Sequence, residues 1–286
     1  MRDRRLFVQF IHPGGEHRPD RDGLKGWNTG PHQRKFLTAA GRYMEAGVVR
    51  SDDLVFWGEW EPQSRVVRTY SDPVPGGPRF LVEPYYALPA TWPSRGPQNT
   101  DPFVFGDQFH YTGCLQHTKR GATQLRYLDR GSIILFGSCR EKRHFVIDTV
   151  FVVDRWIDHD RANQRTPEVR GAVSSTYGDV TLDPWYAGDV PAEQSHRLYF
   201  GATPDAPVDG MFSFFPCLPA RAADGGFARP EVHIDGRITS HLLQGKKMTH
   251  LPDADGGREL WADVARHVEE EGLKLGVRAE LPGREA

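Results

Sequence analysis

Two of the clearest apolar runs in the chain are Gly131-Ser132-Ile133-Ile134-Leu135-Phe136-Gly137 and Phe145-Val146-Ile147-Asp148-Thr149-Val150-Phe151-Val152-Val153. A tight turn at Asp129-Arg130 precedes the first run, and a basic turn over 140–143 separates it from the second. Short apolar runs that are bounded by turn residues are typical of buried strands. The sequence therefore predicts two neighbouring buried strands over these runs.

The same pattern extends outward from this pair. The 30 glycines and 22 prolines imply many turns and short elements, which argues against a helical bundle. We therefore expect an α+β fold with a central mixed, barrel-like β-sheet and flanking helices. The further predicted strands are Leu6–Ile11, Leu54–Trp60, Phe103–Phe105, Phe109–Cys114, Arg197–Phe200 and Met211–Phe215.

Helices and loops complete the expected organisation, a single compact domain over 1–286. Helical spacing of apolar residues predicts one helix over 31–46 that stops at Gly47, and an amphipathic C-terminal helix over about 258–271. The proline-rich stretch 71–102 reads as an ordered loop. The polar stretch 154–195 reads as an insertion or mobile segment.

Charge and cysteine content exclude several classes of protein. The formal net charge of −2 gives no overall attraction to nucleic acid, although a local arginine-lined groove remains open. The three cysteines give neither a disulfide framework nor a CxxC pair. The apolar run Leu6–Ile11 is too short for a signal-peptide core, and no stretch approaches a membrane span. We expect a cytoplasmic protein with no membrane partner.

Aromatic and acidic residues alternate in two segments. The run from Asp53 to Pro62 ends in two tryptophans that flank a carboxylate, and the segment from Asn99 to Tyr111 repeats this mixture. Large flat side chains beside charged groups predict a pocket for a flat ligand that forms hydrogen bonds. The expected substrate-binding residues are Trp57, Trp60, Asn99, Phe105, His12 and Tyr111.

The acids of these segments are the candidate catalytic groups. A carboxyl group beside an indole and away from water keeps its proton longer, so it can act as a general acid or base near neutral pH. We therefore expect Glu59 and Asp101 to be catalytic, with His110 or His12 assisting proton transfer. The alternative is that these acids only pair with arginines or cap turns at strand ends.

His110, Cys114 and His117 have side chains of the metal-ligand type. Zinc sites usually combine two close pairs of ligands, and no second pair is well placed, so we predict no metal. Cys114 as a nucleophile beside His110 or His117 is a separate reading, although a buried thiol on a strand is the more common finding. Neither a Walker loop nor a dinucleotide fingerprint is present, and the cofactor stays unknown.

The runs Gly131–Gly137 and Phe145–Val153, separated by a basic turn, resemble the barrel strands of PUA-like folds, the group of PUA, ASCH, EVE and YTH domains. The segments Phe56–Trp60 and Asn99–Tyr111 also resemble bacterial and phage nucleotide-modification-associated domains. The resemblance covers about 50–155. It implies a small β-barrel whose mouth holds a base or a modified base in an aromatic cage.

Together these observations predict a nucleic-acid or nucleotide modification-associated protein that holds a base in an aromatic-acidic pocket. An enzyme that modifies or hydrolyses the base by acid/base chemistry is the leading hypothesis. Two alternatives stay open, a non-catalytic reader of modified bases and a structural or partner-binding protein whose tryptophans are core. The expected partner is a nucleotide or nucleic acid, and the oligomeric state is open.

Overall fold

A computed structural model describes residues 4–20, 22–92, 97–140, 144–188, 190–234, 236–239, 242 and 244–285. The fold is mixed α and β, because strands make up 41% of the chain and helices 15%, in several sheets. In chain order the strands are β1 (Leu6–Ile11), β2 (Leu24–Lys25), β3 (Lys35–Glu45), β4 (Val48–Gly58), β5 (Ser64–Thr69), β6 (Phe80–Tyr86), β7 (His110–Tyr111), β8 (His117–Thr118), β9 (Gly121–Ala122), β10 (Ile133–Arg140), β11 (His144–His159), β12 (His196–Gly201), β13 (Phe215–Pro219), β14 (Gly245–His250), β15 (Lys274–Ala279) and β16 (Gly283–Arg284).

Helical elements are short apart from the last one. The α-helices are α1 (Pro167–Arg170), α2 (Ser175–Tyr177), α3 (Asp183–Ala187) and α4 (Ala254–Glu270). Two 3₁₀ turns span Gln124–Tyr127 and Ala220–Ala222, and a π-helical turn spans Gly178–Leu182. No helix in the described part of the chain combines the length and apolar character needed to cross a membrane.

The first sheet contains both runs that open the sequence argument. Its strand order is β14-β1-β10-β11-β12-β7, with β1 and β10 parallel and the other neighbours antiparallel. Every residue of β1 is buried, as expected for a strand with neighbours on both sides and layers on both faces. β1 ends at Ile11, and the next residue, His12, belongs to the candidate functional site.

The second sheet has the order β15-β13-β4-β3-β6-β5-β2. β15 also pairs with β3, so the hydrogen-bonded path β3–β4–β13–β15 returns to its first strand. The two sheets meet where Val150 and Phe214 exchange backbone hydrogen bonds of 2.8 and 2.9 Å. Residues 50–155, the range of the PUA-like resemblance, contribute most of β4 and all of β5 and β6 to this sheet. They contribute β7, β10 and most of β11 to the first sheet, and β8 and β9 pair separately.

The helix predicted over 31–46 is wrong, because residues Lys35–Glu45 form β3. All eleven residues of β3 pair with β4, from Lys35 opposite Gly58 to Glu45 opposite Val48. Helix propensity differs by only tenths of a kcal/mol per ordinary residue, roughly, so a long strand pairing outweighs it. Gly47, which the pattern read as a helix stop, has φ 78° and lies in the two-residue turn of the hairpin.

The remaining predicted segments have these structures. Within 71–102, residues Phe80–Tyr86 form β6, next to β5 and β3. Within 154–195, the first six residues continue β11, and α1 to α3 follow. Over the predicted C-terminal range, α4 begins after the Asp253 cap and buries Val264 and Val268.

Candidate functional site

A buried charge network lies where β3 begins and β4 ends. Since Lys35 is opposite Gly58, Arg34 and Glu59 flank the first pair of the hairpin ladder. Arg34 Nη1 lies 2.9 Å from Glu59 Oε1, and Arg34 Nε donates to Asp148 Oδ2 at 2.6 Å. Burial disfavours the charge of Arg34, but the carboxylates of Glu59 and Asp148 outweigh it and raise the pKa of the guanidinium. Arg34 is therefore a permanent cation between two carboxylates.

His12 connects this network to a thiol. It follows β1, with Nδ1 2.7 Å from Glu59 Oε1 and Nε2 3.7 Å from Cys114 Sγ. Burial raises the pKa of Glu59, but Arg34 and His12 outweigh burial and lower it to about 2. Burial lowers the pKa of His12 from its usual 6.5, although Glu59 opposes this shift. At neutral pH Glu59 is ionised and His12 is uncharged.

His12 Nδ1 has two close neighbours, and they favour opposite tautomers of the ring. Arg34 Nη2 lies 2.8 Å from Nδ1, and the Glu59 carboxylate lies 2.7 Å from the same atom. With its hydrogen on Nδ1, His12 donates towards Glu59, and the Arg34 Nη2 N–H is left facing another donor. With its hydrogen on Nε2, His12 accepts from Arg34 at Nδ1, and the Glu59 carboxylate is left facing another acceptor. The first tautomer is the one that leaves the Nε2 lone pair free towards the Cys114 thiol.

Asp101 shapes the turn that presents Cys114. Its Oδ1 accepts the backbone N–H of Thr112 at 2.8 Å, and its Oδ2 accepts that of Cys114 at 3.1 Å. The Asp101 N–H in turn donates to Glu59 Oε2 at 3.3 Å. The two acids singled out by sequence thus lie side by side, each holding backbone of the same site.

The thiol itself is partly exposed and protonated at rest. Burial raises the pKa of Cys114 well above its usual value, and the charge of Asp101 adds to this. Burial also raises the pKa of Asp101, with a further rise from Glu59. The resting state therefore pairs a neutral thiol with a neutral imidazole, so a proton must move to His12 before sulfur becomes a strong nucleophile.

His32, Glu59 and Glu61 are the one described group whose donor atoms are close enough to hold a metal ion, within 4.8 Å of one another. His32 Nδ1 lies 3.2 Å from Glu61 Oε1, and its ring stacks on His12 at 5.3 Å. Both oxygens of Glu59 already contact Arg34, His12 or the Asp101 N–H. The donor set thus fits a metal poorly, because the guanidinium already supplies the positive charge.

Trp57 does not line this site. Its indole is 5% exposed, packs against Phe36 and donates to the carbonyl of Phe227 at 2.8 Å. Its link to the network is indirect, through Arg229, whose guanidinium lies 5.6 Å from the indole and 3.2 Å from Asp148. Trp57 therefore packs against Arg229, which in turn pairs with Asp148.

Trp60, Phe105 and Tyr111 belong to a different part of the core from Trp57. Trp60 and Phe105 meet edge to face at 5.2 Å, and the Trp60 N–H donates to the Gln63 carbonyl. The Tyr111 hydroxyl donates to the carbonyl of Cys114 at 2.6 Å, so Tyr111 stabilises the turn over 112–114 that carries the thiol. The two indoles of the sequence hypothesis therefore do not face each other across one cage.

His110 and His117 are separate from Cys114. The His110 ring packs against Phe103, Tyr177 and Phe200, and burial lowers its pKa to about 3, so it stays neutral near pH 7. His117 Nε2 lies 2.9 Å from the carbonyl of Ser195. The histidine beside the thiol is His12, 102 residues earlier in the chain.

Sequence reasoning missed Arg34, His32, Asp148 and Arg229. Asp148 carried a usable signal, because a carboxylate within a continuous apolar run must be buried and therefore paired. Arg34 lay within the stretch read as a helix, which removed its connection to Glu59. His32 lay within the same predicted helix and gave no signal of its own.

Comparison of the chain with known protein families, with curated proteins and with solved structures finds no match.

Proposed function

We propose that this chain is an enzyme that modifies a nucleobase or nucleotide, with Cys114 as nucleophile, His12 as general base and Glu59 as the fixed carboxylate. The observation that carries the proposal is the line of contacts from Cys114 Sγ to His12 Nε2 at 3.7 Å and from His12 Nδ1 to Glu59 Oε1 at 2.7 Å. A nucleophile, a base and a group that orients the base are the three parts of an activated cysteine.

The covalent step needs only Cys114, His12 and the substrate to transfer its proton and its electron pair. The thiol proton of Cys114 moves to His12 Nε2 while the sulfur electron pair forms a bond to an electrophilic carbon of the substrate. The electrons displaced from that carbon go to the substrate or its leaving group, which takes the proton back from His12. Glu59 stabilises the transient imidazolium, and Arg34 keeps Glu59 ionised. In this proposal Glu59 acts through its charge and not as the general acid or base expected from sequence.

A flat, hydrogen-bonding substrate is supported by polar atoms that lack partners beside the site. Among the described residues, both amide atoms of Asn28, Nδ2 of Asn99 and Oε2 of Glu61 are buried without a hydrogen bond. The backbone N–H of Asn28 donates to the backbone carbonyl of Glu61 at 2.8 Å, which holds the side chains of these two residues close together. Adjacent donors and acceptors of this kind match the edge of a nucleobase. Stacking would use Trp27 and His32, which are partly exposed, in place of Trp57 and Trp60.

The finer architecture, a barrel-like sheet of PUA type, is part of the same proposal. What supports it is the closed pairing path β3–β4–β13–β15. Arg34 and Glu59 flank the first pair of the β3–β4 ladder in this path. A closed sheet with functional groups at one end fits a base-holding mouth.

Alkylation of the native protein by iodoacetamide tests whether His12 takes the proton of Cys114. The labelling of Cys114 and Cys139 is followed separately by peptide mass spectrometry. Cys139 is a matched reference, because it is also partly exposed, burial also raises its pKa, and its thiol donates to the Thr239 carbonyl. His12→Gln should slow Cys114 labelling by about tenfold or more, since general-base assistance is lost, and leave Cys139 unchanged. Glu59→Gln should act in the same direction.

Buried Cys217 serves as the folding control, since it should stay unlabelled in every variant that folds. Equal labelling of Cys114 with and without His12, in variants that keep Cys217 protected, would contradict the enzyme. It would favour the alternative of a non-catalytic reader of bases, in which Cys114 has no chemical role.

A further inference from the structure

A surface pocket of about 400 Å³ is lined mainly by residues of the segment 154–195. This volume lies within the range of small-molecule sites, about 300–1,000 Å³. Its main lining residues are Trp92, Arg161, Gln164, Arg165, Asp183 and Tyr186. The segment that sequence reading treated as an insertion thus supplies most of the wall.

The pocket is cationic. Arg161 donates to the carbonyls of Tyr186, Gly188 and Val190 at 2.8 to 3.2 Å, which holds its guanidinium in place without neutralising it. Arg165 is exposed and has no ion-pair partner among the described residues. Among the described lining residues the one acid is Asp183, which is already paired with Arg170 at 2.5 Å. The charge of Arg161, whose N–H groups mostly bind carbonyls, and the exposed guanidinium of Arg165 therefore favour an anion in the pocket.

Aromatic rings border the same pocket. Trp92 is partly exposed and meets Trp27 edge to face at 5.2 Å. The Trp27 N–H donates to the Gln98 carbonyl at 2.6 Å, and the Gln98 N–H donates to the carbonyl of Asn28 at 2.9 Å. These contacts lead from the pocket to the unpartnered amide of Asn28.

A second chain of contacts leads from the pocket to the thiol turn. The Tyr186 hydroxyl lies 2.8 Å from His159 Nδ1, and His159 Nε2 lies 2.6 Å from Thr112 Oγ1. Thr112 donates its N–H to Asp101, which also holds the N–H of Cys114. A bound group that touches Tyr186 is therefore linked through buried hydrogen bonds to the nucleophile.

We propose that this pocket binds the phosphate of a nucleotide through Arg161 and Arg165, with Trp92 against the nucleoside, and so directs the base towards Asn28 and Cys114. The substrate class rests on the proposed function, whereas the anion site rests on the pocket alone. A free mononucleotide and a nucleotide unit of a single strand share this chemistry.

Binding to the full chain carrying Cys114→Ser tests the pocket without turnover. The ligands are the four ribonucleoside 5′-monophosphates, the matching nucleosides, inorganic phosphate and a short single-stranded oligodeoxythymidylate, followed by calorimetry. We expect at least one monophosphate or the oligonucleotide to bind, and its affinity to fall about ten- to hundredfold with Arg165→Ala. Trp92→Ala should weaken binding by roughly tenfold. Arg68→Ala, an exposed arginine on β5, is the matched control and should change nothing.

Three outcomes would overturn the proposal: no binding by any nucleotide ligand, equal affinity for a nucleoside and its monophosphate, or equal affinity with and without Arg165. Because Arg165 is exposed, its loss should not prevent folding. The alkylation test of Cys114 is independent of this one. Failure of the pocket with an intact alkylation result would leave the enzyme and remove only this phosphate site.

Discussion

Cys114 and His12 form a neutral pair at rest, and this sets how the site can work. Burial raises the thiol pKa and lowers the imidazole pKa, so the proton stays on sulfur until an electrophile arrives. A thiolate–imidazolium pair would instead need the opposite shifts. The site therefore resembles a hydroxyl nucleophile with its base more than a preformed thiolate.

The neutral pair predicts an unusual pH dependence for alkylation of Cys114. The base form of His12 increases as pH rises through its pKa, which burial lowers below 6.5, so it is already the major form at pH 7. Cys114 labelling should therefore be nearly flat between about pH 7 and 8. Labelling of Cys139 should rise about tenfold over the same interval, because it depends on free thiolate. Parallel rises for both cysteines would show that His12 is not the base.

At the scale of elements, the β3–β4 hairpin aligns Arg34 with Glu59, and its turn carries a strained residue. Ala46 has φ 49° and Gly47 has φ 78°, the two positive values of a type I′ turn. Alanine is unfavourable in this region by roughly 1–2 kcal/mol, whereas asparagine tolerates it. The turn at the far end of the hairpin thus has room for improvement without contact with the site.

Ala46→Asn should raise the free energy of unfolding by about 0.5–1 kcal/mol, because Asn-Gly suits a type I′ turn. Urea denaturation measures the change. Ala46→Val is the opposing control and should lower stability, since a branched side chain is disfavoured at positive φ. In a helix over 31–46 asparagine would be the worse residue at this position. A loss of stability with Ala46→Asn would therefore contradict the hairpin.

The same hairpin explains which elements the sequence could predict. The runs at 133–136 and 145–153 could be predicted as strands, because a strand buried on both faces is apolar throughout, and they lie in β10 and β11. β3 could not be recognised, because Ala, Met and Glu favour helices locally and only the pairing with β4 reveals the strand. Short-range pattern fails where a distant partner decides the conformation.

At the scale of the whole molecule, the site joins residues from segments far apart in sequence. Glu59 and Asp101 could be proposed from their own surroundings, since each is an acid within an aromatic segment. The partner of Cys114 could not, because His110 and His117 are near it in sequence, whereas His12 follows β1 and is 102 residues away. Global topology, and not local pattern, creates the pair.

Comparison of the folded and unfolded protein tests this assembly most directly. The measured quantity is the ratio of the iodoacetamide labelling rates of Cys114 and Cys139, first in the native protein and then in concentrated urea. If His12 takes the proton of Cys114, the native ratio should be on the order of ten and should fall to about one on unfolding, because only the fold brings His12 to Cys114. A native ratio at or below one, with an equal ratio after unfolding, would contradict Cys114 as the nucleophile.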